Sequence, residues 1–234
     1  MMRIKIFLMM TTVMLSLSCT KYYFDTGVHQ AKYDGTIWDY MESKKPYFDT
    51  TMMVIELAGM KNVFQNENIT FFAPPGGTIF KAVNNLNQYL KFNGKDTVSQ
   101  LDQISPTVWK NTLSDYIFKG TNLLKDYPQR DTINFVAFPG HNYSSYSGRI
   151  LNIGVIYQDA GGVTGAGYRQ LFLAYIPDFS NPQNGLTNIP VATSDIQPRN
   201  GVIHALNRLK HTYGFRRDKF IDQVMSAGIS PAKP

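Results

Sequence analysis

The chain has 234 residues and a formal net charge of +6, with 43% hydrophobic and 13% aromatic residues. This apolar content excludes a largely disordered protein, and the length suffices for one domain with its own core. The small basic excess, without a clustered basic face, does not indicate a nucleic-acid partner. Because Cys19 is the only cysteine, no intramolecular disulfide can form.

The first eighteen residues have the pattern of an export signal. Arg3 and Lys5 form a basic head, and the apolar run that follows from Ile6 to Leu17 is too short to span a bilayer. We therefore expect residues 1–18 to be a cleaved signal peptide. The Leu-Ser-Leu-Ser-Cys sequence that ends at Cys19 is similar to the lipobox of bacterial lipoproteins, which implies that this cysteine carries the lipid anchor. The alternative is an ordinary cleaved signal followed by a chance cysteine.

The first half of the mature chain has helical patterns. Residues 19–34 show no clear period and are predicted to be a tether. Thr36 with Asp39 three residues later predicts a capped helix start. Asp49 is predicted to cap a second helix, in which Phe48 and Met53 form a hydrophobic staple.

A short strand interrupts these helices. Ile69 to Ala73 is an apolar run followed by Pro74-Pro75-Gly76-Gly77, which predicts a buried strand and then a turn. Ser105-Pro106 predicts another helix start. A helix between them carries apolar residues at helical spacing, namely Ile79, Phe80, Val83, Leu86 and Leu90.

The second half of the chain has strand patterns. Helices first and strands later predict an α+β fold rather than alternating βαβ units. Residues 159–167 and 181–190 are predicted loops because they are rich in glycine or polar residues. The predicted strands are Ile133 to Phe138, Leu151 to Gln158, Tyr168 to Ile176, Val191 to Thr193 and Val202 to Leu206.

Two segments resemble the signatures of fasciclin-like domains. The first is Thr70-Phe71-Phe72-Ala73-Pro74 with Phe80 on the next helix, and the second runs from Val191 to Leu206. In the family the first delivers Ala-Pro into a turn, with the Phe packing back. The positions that carry the resemblance are Ala73, Pro74, Phe80, Asp195, Asn200, Gly201 and His204.

The resemblance covers residues 35–215 and implies an α+β fasciclin-like domain, with helices packed on a β-sandwich or wedge of mixed strands. Residues 138–190 would then be an insertion, and residues 216–234 a C-terminal tail. Many family members have a Tyr-His pair before the sheet. Here Tyr116 is followed by Ile117, so that adhesive motif is not carried over.

Motifs for catalysis or metal binding are absent from the sequence. It contains no His-Glu-x-x-His, Cys-x-x-Cys or Gly-x-Ser-x-Gly, and the glycine-rich residues 161–167 lack the Lys-Ser/Thr of a P-loop. We therefore expect no enzymatic activity, no metal and no cofactor. A hydrolase that uses Asp159, Asp178 and Asp195 is the least favoured alternative, because paired carboxylates must lie at a defined distance.

Binding is the expected function. The resemblance implies adhesion or capture of a protein or glycan ligand by a lipid-anchored protein of the cell envelope, expected at the outer membrane. A related alternative is an accessory glycan-binding protein of an outer-membrane polysaccharide-uptake system. The segment from His141 to Ser147 is the best ligand-binding candidate, through Asn142, Tyr143 and Tyr146. The competing interpretation is that both tyrosines cover the edge of the core.

Three Asp-Thr-apolar or Asp-Thr-Thr triplets, which begin at Asp49, Asp96 and Asp131, resemble the acceptor pattern of a bacterial envelope O-glycosylation system. Three matches are a modest excess over chance for this composition. For Asp49 the helix cap is the preferred interpretation.

Overall fold

The computed structural model describes residues 31–131, 134–182 and 184–232. The expected signal peptide, Cys19 and the first part of the tether lie outside these residues, as do Thr132 and Ile133 of the third triplet. The helices are α1 (Ile37–Ser43), α2 (Asp49–Leu57), α3 (Lys61–Asn66), α4 (Gly76–Phe92), α5 (Pro106–Ser114) and α6 (Arg217–Ala227). The strands are β1 (Ile69–Ala73), β2 (Ile117–Lys119), β3 (His141–Ser144), β4 (Ile150–Tyr157), β5 (Arg169–Tyr175), β6 (Thr187–Ile196) and β7 (Gly201–Leu206).

The strands of the described residues form one sheet in the order β2-β1-β7-β6-β5-β4-β3. β1 runs parallel to β7, with Ile69 opposite Gly201 and Ala73 opposite Ala205. The other neighbouring pairs are antiparallel. Helices packed beside a mixed sheet confirm the predicted α+β class.

The two edges of the sheet approach each other. The N–H of Tyr146, just after β3, donates a 2.8 Å hydrogen bond to the carbonyl oxygen of Ile117 in β2. β2 and β3 are the two edge strands, so this bond joins opposite ends of the strand order. The sheet therefore bends towards a closed barrel that stays open along part of the seam.

Capping explains how α1 and α5 begin. Thr36 and Asp39 form the predicted capping box, in which each side chain accepts a hydrogen bond from the other residue's backbone N–H. Ser105 caps α5 by accepting from the N–H of Thr107, and Pro106 occupies the first turn. Both helix starts predicted from the sequence are confirmed.

The prediction for the start of α2 is wrong. Asp49 is the first helical residue, and Phe48 stands at the cap without a side-chain hydrogen bond. Asp49 instead accepts from the N–H of its neighbour Thr50. Met53 cannot form the staple with Phe48, because its side chain is 53% exposed while Phe48 is buried.

Three other local predictions need correction. The expected turn after Pro74 ends early, since α4 begins at Gly76. Residues 134–137 form a turn closed by the N–H of Phe138 and the carbonyl of Asn134, where a strand was expected. The polar segment before Pro190 is already strand from Thr187, where it pairs with β5.

The ends of the domain are more ordered than the sequence suggested. Tyr33, expected in the tether, donates its N–H to the carbonyl of Gln197 at 2.9 Å. The expected C-terminal tail contains α6, which packs against α4 and α5. Phe220, Ile221 and Val224 on α6 are buried, because their spacing places them on one helix face.

Residues 138–190, expected as an insertion, contribute β3, β4, β5 and the start of β6 to the sheet. Leu151, Ile153 and Val155 of β4 are buried as predicted from the sequence, and Asn152 and Gly154 on the other face are buried as well. This segment is therefore part of the architecture itself. None of the described helices is long and apolar enough to cross a membrane.

Candidate ligand-binding site

His204 stands at the centre of the second signature segment, on β7, and is fully buried. Its Nδ1 accepts a 3.2 Å hydrogen bond from the N–H of Asp195, and its Nε2 lies 3.0 Å from the carbonyl oxygen of Asn122. These partners fix a neutral ring with the proton on Nε2. Burial lowers the pKa of His204 to about 4, although the Asn122 hydrogen bond and the Asp195 carboxylate act in the opposite direction.

Asp195 has a left-handed backbone, with φ of 61°, where the pairing between β6 and β7 shifts register. Aspartate tolerates this conformation better than most residues. This backbone conformation directs the N–H of Asp195 toward His204. The Oδ1 of Asp195 accepts a hydrogen bond from the N–H of Leu124 at 2.7 Å. One residue therefore connects β6, β7 and the loop after β2.

Asn200 ties the helical half of the domain to the sheet. Its Oδ1 accepts from the N–H of Ile37 at the start of α1, at 2.8 Å. Its Nδ2 donates to the carbonyl oxygens of Phe64 and Glu67, at 3.0 and 3.1 Å. The side-chain amide thus uses both its acceptor and its donors on groups far away in the sequence.

In the first signature, Ala73 and Pro74 are buried, and the carbonyl oxygen of Pro74 accepts from the Thr51 hydroxyl at 2.6 Å. Phe80 was expected to pack back onto the core, but its side chain is 55% exposed. Ile79 and Val83 define the buried face of α4, and Phe80 lies beside that face, toward α2. The sequence spacing could not separate these adjacent positions.

Tyr116 has a histidine neighbour despite the missing Tyr-His pair. Its hydroxyl lies 2.9 Å from Nε2 of His211, which arrives from the segment after β7. Both side chains are buried, and Tyr116 also stacks on Phe215 at a centroid distance of 4.7 Å. The pair belongs to the core rather than to a surface motif.

A concave surface lies along the seam between the two edge strands, and we call it the tyrosine cleft. Its volume is about 360 Å³. Residues of β3 and the turn after it reach the cleft together with residues of β2 and the loop after it, because the sheet bends round. The cleft is lined by Phe118, Lys119, Asn122, Tyr127, Tyr143, Ser144, Ser145, Tyr146 and Gly148.

Tyr127 is the polar group of this cleft that lacks a partner. The residue is only 6% exposed, and its hydroxyl makes no hydrogen bond within the described residues. Burial raises the pKa of Tyr127 far above its usual value, and Tyr143 raises it further. The nearby Asn122 side chain acts in the opposite direction and lowers this pKa. It does not, however, form a hydrogen bond of normal distance and angle with the Tyr127 hydroxyl. Burying a hydroxyl without a partner costs about 1–3 kcal/mol.

Two of the three ligand-binding residues predicted from the sequence meet in the cleft. Tyr143 contacts Tyr127 edge to face at a centroid distance of 5.4 Å, and the Tyr146 hydroxyl donates to Glu67 at 3.1 Å. Both rings are half-buried against the core. Asn142 lies elsewhere, since it alternates with Tyr143 along β3 and accepts from the Asn152 side chain at 2.9 Å.

Two carboxylates, Asp126 and Glu67, lie near the tyrosines of the cleft. Burial raises the pKa of Tyr143 and the nearby Asp126 raises it further, while burial followed by the Glu67 hydrogen bond raises that of Tyr146. Asp126 accepts from the N–H of Leu123 at 2.8 Å, which holds it in the loop after β2. Lys119 is the cation in the lining. The site therefore offers aromatic faces, hydroxyl and amide groups, with one cation in its lining and two carboxylates nearby.

The carboxylates of the hydrolase alternative do not converge. Asp159 accepts from the N–H of Gly165 in the loop after β4, and Asp178 accepts from the N–H of Ser180 in the loop after β5. Because β4 and β5 are antiparallel, these loops lie at opposite ends of the sheet. Within the described residues, no group of three His, Cys, Asp or Glu side chains could hold a metal ion.

Sequence reasoning missed Lys119, Asn122 and Tyr127. They come from the segment around and after β2, and they reach β3 only through the bend of the sheet. A lone Tyr127 between Asp126 and Pro128 carries no local pattern that indicates a site.

No family model matches the chain, and comparison with curated proteins gives no match. Among solved structures, the chain is similar to a FAS1 domain pair from the insect cell adhesion molecule fasciclin I. The alignment has 15% sequence identity and a TM-score of 0.46, and it covers 74% of this chain and 49% of that one. This chain thus spans about half the length of that domain pair. The likeness concerns the fold alone.

Proposed function

We propose that this protein is a non-enzymatic binding module of the bacterial cell envelope, anchored through lipid on Cys19, that holds a neutral glycan in the tyrosine cleft. Such binding serves adhesion or, alternatively, the capture of polysaccharide for uptake at the outer membrane. The observation that carries the ligand assignment is the hydroxyl of Tyr127. It is buried beneath the cleft surface without a hydrogen-bond partner, and a sugar hydroxyl would supply one once the cleft side chains that cover it turn aside on binding.

The lining suits a sugar ring. The aromatic faces of Tyr143 and Tyr146 offer the apolar surface on which the C–H face of a pyranose stacks. The Asn122 and Ser144 side chains add amide and hydroxyl groups for the ring substituents. A volume of about 360 Å³ accommodates one or two sugar units, so the ligand would be a terminal or short segment of a chain.

Charge favours a neutral sugar over an acidic one. Glu67 bonds the Tyr146 hydroxyl, and Asp126 lies near Tyr143. Lys119 is the cation in the cleft lining. Bringing a carboxylated or sulfated sugar beside these groups would place like charges together, which disfavours binding.

The test is binding of the purified protein to neutral and acidic oligosaccharides, measured on a glycan array and by calorimetry. Tyr127→Phe removes one hydroxyl and retains the ring, so affinity for the neutral ligand should fall about three- to tenfold. Tyr168→Phe is the matched control, because Tyr168 is 67% exposed and lies outside the cleft lining. Equal affinity of Tyr127→Phe and wild type, or binding of acidic glycans alone, would contradict the proposal.

A further inference from the structure

A second concave surface lies on the helical side of the domain, between α2, α4 and the segment before α5. We call it the α2–α4 groove, and its volume is about 670 Å³. Its apolar lining includes two of the most exposed apolar side chains on the helices, Met53 at 53% and Phe80 at 55%. The groove is formed by Met53, Leu57, Phe80 and Leu101, with Glu56 and Asp102 on its rim. Glu56 pairs with Lys61 of its own chain at 3.2 Å, but it is 53% exposed, and an exposed pair of this kind contributes little and leaves the carboxylate accessible to a second cation.

A basic turn borders the same groove. The side-chain stem of Arg208 packs on the first turn of α4, where a Cβ on Gly77 would lie 3.0 Å from the Arg208 Cδ. Gly77 and Phe80 are three residues apart on α4 and share one helix face. Arg208 therefore lies over the same end of α4 that presents Phe80.

The turn presents an apolar side chain between two cations. The side chain of Asn207 accepts from the N–H groups of Leu209 and Lys210, at 3.0 and 3.1 Å, which fixes the turn. Leu209 lies at the tip of this turn, and its side chain is 76% exposed. No ion pair forms at Arg208 or Lys210 within the described residues.

The surface thus carries complementary features side by side: an apolar groove with carboxylates on its rim, and an apolar tip flanked by cations. A twofold rotation would place the Arg208–Lys210 turn of each copy over the Glu56 side of the other and bring Leu209 to the groove. Contacts of this reciprocal kind define a twofold interface. We infer that the α2–α4 groove is the surface through which two copies of this chain associate, each inserting Leu209 into the other's groove.

The tyrosine cleft lies along the β2–β3 seam and shares no lining residue with the groove between the helices. Association through the helices therefore leaves both clefts open. Two copies would present two glycan sites, which raises the avidity for a repetitive polysaccharide. The association itself does not depend on the glycan proposal.

The test is sedimentation equilibrium of the full chain carrying Cys19→Ser, so that neither lipid nor an intermolecular disulfide contributes. Phe80→Ser and Leu209→Ser should each weaken dimerisation by at least about tenfold. Phe92→Ser is the matched control, because Phe92 is a 91% exposed phenylalanine at the other end of the same helix. It should leave the dimer constant unchanged.

A charge exchange tests the geometry separately. Arg208→Glu and Glu56→Arg should each weaken the dimer, and the double variant should restore it. The wild-type dimer should also weaken as salt is raised, because the rim charges are exposed. Exposed substitutions of this kind leave the fold intact, which circular dichroism verifies. A wild type that stays monomeric at about 100 µM overturns the inference, as does equal behaviour of Phe80→Ser and Phe92→Ser.

Discussion

The backbone N–H of Asp195 donates a hydrogen bond to Nδ1 of His204 over 3.2 Å, and this contact decides which ring nitrogen is protonated. Nε2 then carries the proton and donates to the Asn122 carbonyl at 3.0 Å. The histidine thereby joins β6, β7 and the loop that forms one wall of the tyrosine cleft. Its place in the fold indicates a supporting role, since both nitrogens are already used.

Replacing His204 with Ala should destabilise the protein by about 1–3 kcal/mol, because two backbone groups lose a buried partner. Urea unfolding measures this change. His141→Ala is the control, since His141 is exposed on β3 and should change the free energy of unfolding little. If His204→Ala were as stable as wild type and lost ligand binding, the residue would be part of the site.

Acid should destabilise the domain through its two buried histidines. Burial lowers the pKa of His204 to about 4 and that of His211 to about 3, the latter with a further decrease from Lys81. In the unfolded chain both titrate near pH 6.5. Between about pH 6.5 and 4 only the unfolded state takes up these protons, so stability is lost as the pH falls, by about 1.4 kcal/mol per pH unit for each histidine.

Urea unfolding at several values between pH 7 and 4.5 measures this slope. His211→Gln should make the slope shallower, because one titrating group is removed. A free energy of unfolding that does not change over this range would contradict the buried neutral state of both rings.

Gly201→Ala should lower the stability by about 3 kcal/mol or more, because a methyl group there overpacks the sheet. The φ of Gly201 is 152°, and its added Cβ would lie against the carbonyl oxygen of Ile69 on β1. Gly94→Ala is the comparison, since Gly94 also has positive φ, at 66°, but nothing lies within 4 Å of its Cβ. That variant should lose about 1 kcal/mol, so equal thermal shifts of the two would refute the clash.

Tyr127→Phe should leave the protein as stable as wild type, or more stable by up to about 1 kcal/mol, because it removes a buried hydroxyl without a partner. The ring contact with Tyr143 is retained. Thermal unfolding without ligand measures the effect. A clear loss of stability would mean that the hydroxyl has a structural partner, and its assignment to ligand would fail.

Cys19→Ala should release the protein from membranes into the soluble fraction. A single acyl chain binds membranes only marginally, and stable anchoring needs more than one. Fractionation of cells that express each form measures the change. If the Ala variant stays as membrane-bound as wild type, the anchor lies elsewhere.

Local signals predicted much of the fold. Thr36 with Asp39, and Ser105 with Pro106, have chemistry that acts within one helical turn, so the sequence reveals them directly. β4 was predictable because its apolar residues alternate along the strand, although the structure buries both of its faces from Leu151 to Val155. The start of α2 was not, since the capping preference of Asp49 yields to the packing of buried Phe48.

The candidate site was only partly predictable. Tyr143 and Tyr146 stood out because two aromatic residues lie among small polar ones. Tyr127 and Lys119 join them only because β2 and β3 meet across the seam, and such a contact depends on the curvature of the whole sheet. The burial of α6 was not predicted either, because the basic residues around Phe220 resemble a solvated segment.

The parallel pair of β1 and β7 also constrains when this chain can fold. Ile69 meets Gly201, so the first strand gains its parallel neighbour only after the last strand has been made. Closing so long a loop is entropically costly, and non-local pairing of this kind is slow. A growing chain would therefore hold its helical half without a finished sheet until synthesis is nearly complete. This late completion would keep the polypeptide unfolded for longer, as passage through a translocation channel requires if the proposed export takes place.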